Sequence, residues 1–196
     1  MCRLPSGSFA VGGTGEPLLH GATMAARVWD RLLPELTRHH TVIAPTMPGH
    51  SGTPATGANM TLDDLVDWVE SVMDGNAVST AHLAGNSLGG LVAMELARRG
   101  RASSVVAISP AGGWTPEGGA AVASAVATGR RVAERLRPVV PTAMRVPLLR
   151  QIAFGDVAQH GAHLSPEDAA GSLLDTAKST LFEHFRDVAV AETVPA

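Results

Sequence analysis

A chain of 196 residues, 45% of them hydrophobic, can bury a sizeable core and is expected to fold as one soluble globular body. A net charge of −3 without a run of like charges gives no electrostatic footprint for nucleic acid or an anionic membrane. Cys2 is the sole cysteine, so no intrachain disulfide can form.

The opening stretch "MCRLPSGSFAVGG" has no continuous apolar segment of the signal-peptide kind. "GGTGEP" is Gly-rich but lacks the closing Gly-Lys-Ser/Thr of a phosphate loop and reads as a turn. Over the first 110 residues, short apolar runs then alternate with helical periodicity, which predicts an α/β fold with a mostly parallel sheet. Strands are expected over 17–21 ("PLLHG"), 41–45 ("TVIAP"), 81–85 ("AHLAG") and 104–109 ("SVVAIS"). The first two flank a helix carrying Trp29, Leu32, Leu33 and Leu36, with His39 and His40 at its end. The second and third flank a helix with Leu62, Leu65, Val66, Val69 and Met73 on one face. Thr61 before that helix and Asp64 three residues on have the form of a capping box. After the third strand, Leu88, Leu91, Val92 and Leu96 mark a further helix.

Beyond residue 109 the pattern changes. "PAGGWTPEGG" is rich in Gly and Pro, and no convincing strand follows. Helices are expected over 120–137, 144–154 and 166–188. The longest Ala/Val run, 120–127, is far short of the roughly 20 residues that span a bilayer, so a cytoplasmic protein without a membrane partner is expected. The last helix has Ser165 as N-cap and Pro166 at its first position, with Leu173, Leu174, Ala177, Leu181 and Phe185 along one face. The expected division is a core over 1–110 and a helical segment over 111–196, inserted after the fourth strand.

The sharpest motif is "GNSLG", residues 85–89, a G-x-S-x-G pattern between an apolar strand and a periodic helix. Such a turn strains the serine backbone and exposes its hydroxyl, while Gly85 and Gly89, on either side of Asn86, Ser87 and Leu88, let neighbouring backbone pass close. A chance match in a chain with 21 glycines is the alternative, and the flanking strand and helix argue against it. In "LLHGA", residues 18–22, a tight turn could aim the Ala22 N–H at the same point as the Leu88 N–H, giving two donors for an oxyanion. His20 and Gly21 would support that turn; an ordinary strand-to-helix turn is the alternative.

A serine nucleophile needs a histidine to take its proton and an acid to hold that histidine. His50, in "PTMPGHSGT", lies on a loop of the early half of the sheet and is not favoured as base. His82 is expected to pack under the sheet. Asp156, His160 and His163 could be read as substitute acid and base, or as metal ligands. A surface loop is preferred, because nothing there fixes a histidine to Ser87 and the spacing matches no standard metal signature. His184 falls in the last helix.

Together "GTGEPLLHG", "VIAPTMPGHSGT", "AGNSLGG" and "ISPAGGW" resemble the α/β-hydrolase superfamily, in its esterase-like branch with a helical lid. Their order and approximate spacing match over 13–114, and the remainder corresponds to the lid by position. The resemblance implies Ser87 as nucleophile, the N–H groups of Ala22 and Leu88 as oxyanion hole, and hydrolysis of a small apolar ester or related acyl substrate. Asn86 before the serine is found among the family's carbon–carbon bond hydrolases and also among its plain esterases, so the resemblance leaves carbon–carbon bond cleavage open beside ester hydrolysis. No cofactor and no metal are implied, and serine rather than aspartate argues against the dehalogenase and epoxide-hydrolase branches. Thr46 stands where the family usually has aspartate. The family usually has two more strands before "GTGEP", and its triad aspartate and histidine follow strands beyond the lid, so the chain is expected to be truncated at both ends, to lack the C-terminal strands and to be catalytically incomplete. Its last visible strand would then be open to edge-to-edge self-association. The competing expectation is a non-catalytic hydrolase-fold domain that binds apolar ligands.

Overall fold

Each of the four apolar runs becomes a strand in the computed structural model, which describes residues 9–10, 15–55, 59–155 and 157–181. They are β2 (Glu16–Leu19), β3 (Val42–Ala44), β4 (Ala81–Asn86) and β5 (Ala102–Ile108), preceded by a two-residue β1 (Phe9–Ala10). The spatial order is β1-β3-β2-β4-β5. β2 runs parallel to β3 and β4, β4 runs parallel to β5, and β1 alone is antiparallel, pairing Phe9 with Ala44. The sequence gives no sign of β1, because two residues are too few to show alternation. β5 is the outermost strand on its side of the described sheet.

The helix expected between β2 and β3 is broken. A 3₁₀ turn covers Ala26–Trp29, and a single turn, α1 (Leu33–Leu36), follows. Pro34 carries no N–H, and its ring would meet the carbonyl four residues back, so a continuous helix cannot run through it. Trp29 stays buried with Leu18, Ala26, Val42 and Ala44, while Leu32 is exposed.

α2 (Leu62–Gly75) buries the five predicted side chains. Its capping box is complete: Thr61 Oγ1 accepts from the Asp64 N–H at 3.2 Å, and the Asp64 carboxylate accepts from the Thr61 N–H at 2.8 Å. α3 (Leu88–Arg98) packs beside it, and the two share a core with Leu19, Ile43 and Leu83 of the sheet. Arg99, just past α3, reaches Asp63, Asp67 and Glu70 along α2. Exposed pairs of this kind are individually weak, but three on one guanidinium fix how the helices lie.

Among the described residues no strand follows β5. The chain forms α4 (Pro116–Leu136), α5 (Val140–Ala143), α6 (Pro147–Phe154) and α7 (Pro166–Lys178), and no helix among the described residues is long and apolar enough to cross a membrane. The helix expected over 144–154 begins at Pro147, which needs no N–H partner at the first helical position. α6 is inverted relative to an ordinary amphipathic helix. Arg150 is 7% exposed and donates to the carbonyls of Met144 (2.7 Å) and Ala162 (2.9 Å), while Leu148 and Ile152 are 66% and 69% exposed.

α7 starts as predicted, with Ser165 accepting from the Asp168 N–H and Pro166 in the first turn, but it ends at Lys178 rather than 188. Ser179 turns extended, and the N–H groups of Thr180 and Leu181 both reach the Gly49 carbonyl, at 2.9 and 3.0 Å. Leu181 thereby leaves the helix face and enters the core of the sheet. Leu173 and Leu174 pack instead against Val140, Met144, Ala169 and Ala170 in a small separate core. Phe185 and His184 lie outside the described residues.

His82 also departs from expectation. It is exposed on the face of the sheet opposite Leu83, and its Nδ1 hydrogen-bonds Ser104 Oγ of β5 at 2.7 Å. The period-two alternation of a strand puts Leu83 in the core and its neighbour outside.

Candidate active site

β4 ends at Asn86 and α3 begins at Leu88, so Ser87 alone makes the reversal. Its backbone sits at φ 51°, ψ −116°, a region costly for any residue with a Cβ, by roughly 1–3 kcal/mol. Three backbone hydrogen bonds impose it. The Ser87 N–H donates to the Ile108 carbonyl at 3.0 Å, and the Ser87 carbonyl accepts from Leu91 (3.1 Å) and Ala111 (2.9 Å). The flanking glycines have a steric cause. A Cβ on Gly85 would overlap the Gly89 carbonyl and lie 2.6 Å from the Gly90 nitrogen, and one on Gly89 would overlap the Leu19 carbonyl and lie 2.6 Å from the His20 oxygen.

Ser87 does not cap α3 with its side chain, and no described residue hydrogen-bonds its hydroxyl. The first N–H groups of a helix have no intrahelical acceptor, so the Leu88 N–H, one residue on, belongs to the positive end of α3.

The parallel pairing of Leu19 with Gly85 delivers the chain leaving β2 to this elbow. A Cβ on Gly21 would lie 3.3 Å from Ser87 Cβ and 2.9 Å from Asn86 Oδ1, so the turn passes directly against the elbow. Gly21 to Met24 is a β-turn closed by a 3.2 Å bond from the Met24 N–H to the Gly21 carbonyl, with Thr23 at φ 62°. Ala22 occupies the first central position of that turn, where closure makes no use of its N–H. Asn86 Nδ2 donates to the Ile108 carbonyl at 3.2 Å, tying the elbow to β5.

His20 is fully buried directly before this turn. Its Nδ1–H donates to the Gly21 carbonyl at 2.9 Å, and its Nε2 accepts from the Met47 N–H at 2.9 Å. One partner can only accept and the other only donate, so the ring is neutral and in one tautomer. His50 meets His20 edge-on at 4.8 Å between ring centres, its Nδ1–H donating to the Pro48 carbonyl at 2.9 Å. Thr46 Oγ1 accepts from the Ala26 N–H at 3.2 Å. The loop after β3 and the turn after β2 are thus cross-tied.

Burial, reinforced by His50 and opposed by the Gly21 bond, pushes the His20 pKa down from 6.5 to about 3. Burial takes His50 down to about 4 against its own backbone bonds. With both ring nitrogens engaged, His20 is a brace rather than a base for Ser87. The depressed values have a sign: in the unfolded chain both rings protonate near 6.5, in the fold only near 3 and 4. Stability is therefore full above pH 6.5 and falls as the pH drops from 6.5 toward 4, by up to about 1.4 kcal/mol per pH unit per ring. Urea midpoints at pH 7.5 and 5.5 should differ in that direction. Equal midpoints would show that neither ring is held neutral.

The other histidines lie elsewhere. His40 pairs with Glu16 at 3.0 Å, and His160 and His163 are exposed and stacked on one another at 5.2 Å. Asp156 lies outside the described residues. One group invisible in the sequence joins the site's surroundings: Asp175 of α7, buried against Arg27 and Ser51.

The sequence pattern of the Alpha/beta hydrolase family matches residues 18–194. Over 51 residues the chain is 61% identical to the epoxide hydrolase EphH of Mycobacterium tuberculosis, covering 26% of this chain and 24% of that protein. Over 82 residues it is 42% identical to a pimeloyl-[acyl-carrier protein] methyl ester esterase of Aromatoleum aromaticum, covering 42% and 30%. These matches span only about a quarter to a third of the curated relatives. The fold is similar to that of the carboxylesterase CesB from Bacillus subtilis, with a TM-score of 0.61 and 19% identity over 96% of this chain and 62% of that one.

Proposed function

Because the chain belongs to the alpha/beta hydrolase family, we propose that Ser87 is the nucleophile of a hydrolase acting on a small apolar ester or related acyl substrate. The observation that carries this is the strained backbone of Ser87, held by three hydrogen bonds while its hydroxyl is left without a described partner. The hydroxyl oxygen attacks the substrate carbonyl, and the N–H groups of Ala22 and Leu88 receive the developing oxyanion. The alcohol then departs with the proton that Ser87 gives up, and water hydrolyses the acyl–Ser87 ester to the free acid and restores the hydroxyl. The helices after β5 form the lid, and no cofactor enters the reaction. The proton of Ser87 needs a base, and none of the described histidines hydrogen-bonds it.

The esterase named among the relatives supports ester chemistry; the epoxide hydrolase keeps ring opening as the competitor. A covalent acyl or phosphonyl adduct separates the readings. Prolonged incubation with an alkyl fluorophosphonate should add one probe mass, mapped by peptide analysis to Ser87 and absent in Ser87→Ala. An unmodified chain, or the same adduct in Ser87→Ala, would overturn the assignment and leave a ligand-binding hydrolase fold in its place.

A further inference from the structure

α7 lies outside the elbow, yet it carries a carboxylate that ordinary packing would reject. Asp175 is 2% exposed, and a buried carboxylate persists only where its oxygens are paired. Both are. Oδ2 lies 2.8 Å from Arg27 Nε, and Oδ1 accepts from Ser51 Oγ at 2.5 Å. Arg27 belongs to the 3₁₀ turn just after the Gly21–Met24 turn, and Ser51, at φ 44°, belongs to the loop that holds His50.

Two further contacts converge on the same place. The Thr176 and Thr23 hydroxyls hydrogen-bond at 3.4 Å, and Thr23 is the left-handed residue of the turn itself. Gly171, one helical turn before Asp175, makes room for the arginine: a Cβ there would run into Arg27 Nη1 and lie 3.3 Å from its Cζ. Arg31 Nε donates to Asp168 at 2.8 Å on the exposed side of the same seam.

We infer that Asp175 is a positioning residue: by holding Arg27 and Ser51 it fixes the turn that presents the Ala22 N–H to Ser87, so that α7 sets the second oxyanion donor. This rests on the assignment of Ser87 as nucleophile. The carboxylate touches neither the serine nor a substrate, and its effect passes through the turn. A donor displaced by about 1 Å weakens stabilisation of developing charge far more than it weakens binding of a neutral molecule.

The test combines two measurements on Asp175→Asn, which keeps the volume and an acceptor for Ser51 but removes the charge facing Arg27. The maximal rate of Ser87 phosphonylation should fall about ten- to a hundredfold, while the half-saturating probe concentration stays as in the wild type. Amide hydrogen exchange should accelerate at Met24, whose N–H closes the turn, and stay unchanged at 85–91. Ser51→Ala, which removes one neutral bond, should shift both measurements the same way by less and guards against a variant that fails to fold. Thr61→Ala, which destabilises α2 far from the seam, should leave the phosphonylation rate alone. Unchanged exchange at Met24 in both seam variants would overturn the inference, as would faster exchange there with an unaltered phosphonylation rate. If the wild type takes up no probe, the nucleophile assignment fails, and the exchange experiment still decides whether Asp175 holds the turn.

Discussion

Turnover of p-nitrophenyl acetate by the 196-residue chain is expected about 10³ to 10⁴ above the uncatalysed reaction, and no more. Oriented donors and substrate binding alone supply about that much, and an intact triad adds on the order of 10⁴ to 10⁶. With the Ala22 and Leu88 N–H groups as its proposed donors, Ser87 still has no described histidine on its hydroxyl: His20 is held at both nitrogens by Gly21 and Met47, and His50 through Nδ1 by Pro48. The stacked pair His160 and His163 is exposed. Groups that act as a unit lose their effect together, so Ser87→Ala should lower the rate by a few-fold rather than by orders of magnitude. His160→Ala and His163→Ala should do nothing. Turnover of several per second in the wild type, abolished in Ser87→Ala and in one of the His160, His163 or His184 alanine variants, would show that a histidine of this chain reaches Ser87.

The largest effect on folding is expected at Gly85. An added Cβ there meets backbone on the neighbouring helix, not the movable end of a side chain, and relief requires β4 and α3 to part. Overpacking of a core by movable groups costs about 1–3 kcal/mol. A rigid clash at the joint of sheet and helix should exceed about 3 kcal/mol, a large share of the roughly 5–15 kcal/mol that holds a domain together. Gly85→Ala should therefore be recovered largely insoluble or with a much lower urea midpoint. Gly75→Ala is the matched control: it lies at the end of α2 with nothing within 4 Å of the added carbon, and it should be neutral or stabilising by up to about 1 kcal/mol. A Gly85→Ala midpoint equal to the wild type would refute the steric account of the elbow.

Local rules reached far into this chain. The apolar runs located β2 to β5, the 3.6-residue period named the buried face of α2, and the two glycines announced the elbow, because each of these features is written within a dozen residues. What failed was decided at a distance or by a single atom. Pro34 broke a helix whose apolar spacing was otherwise continuous. Leu181 kept the period of α7 but was drawn into the sheet core once Gly49 offered its carbonyl to two N–H groups. His82 lies beside the elbow in sequence but outside the core in space, because the alternation that buries Leu83 turns its neighbour outward. Asp175 had no local signature, since its partners sit more than a hundred residues earlier in the chain.

The backbone of Ser87 has a consequence for how such a frame can change its trade. Everything that aims position 87 lies in the main chain: three hydrogen bonds, two clearances and one torsion pair. None of them consults the atoms beyond its Cβ. A carboxylate or a thiol placed there would be presented to the same point by the same scaffold. Chemistry at this site is therefore exchangeable by one codon, whereas the two glycines beside it tolerate no such experiment.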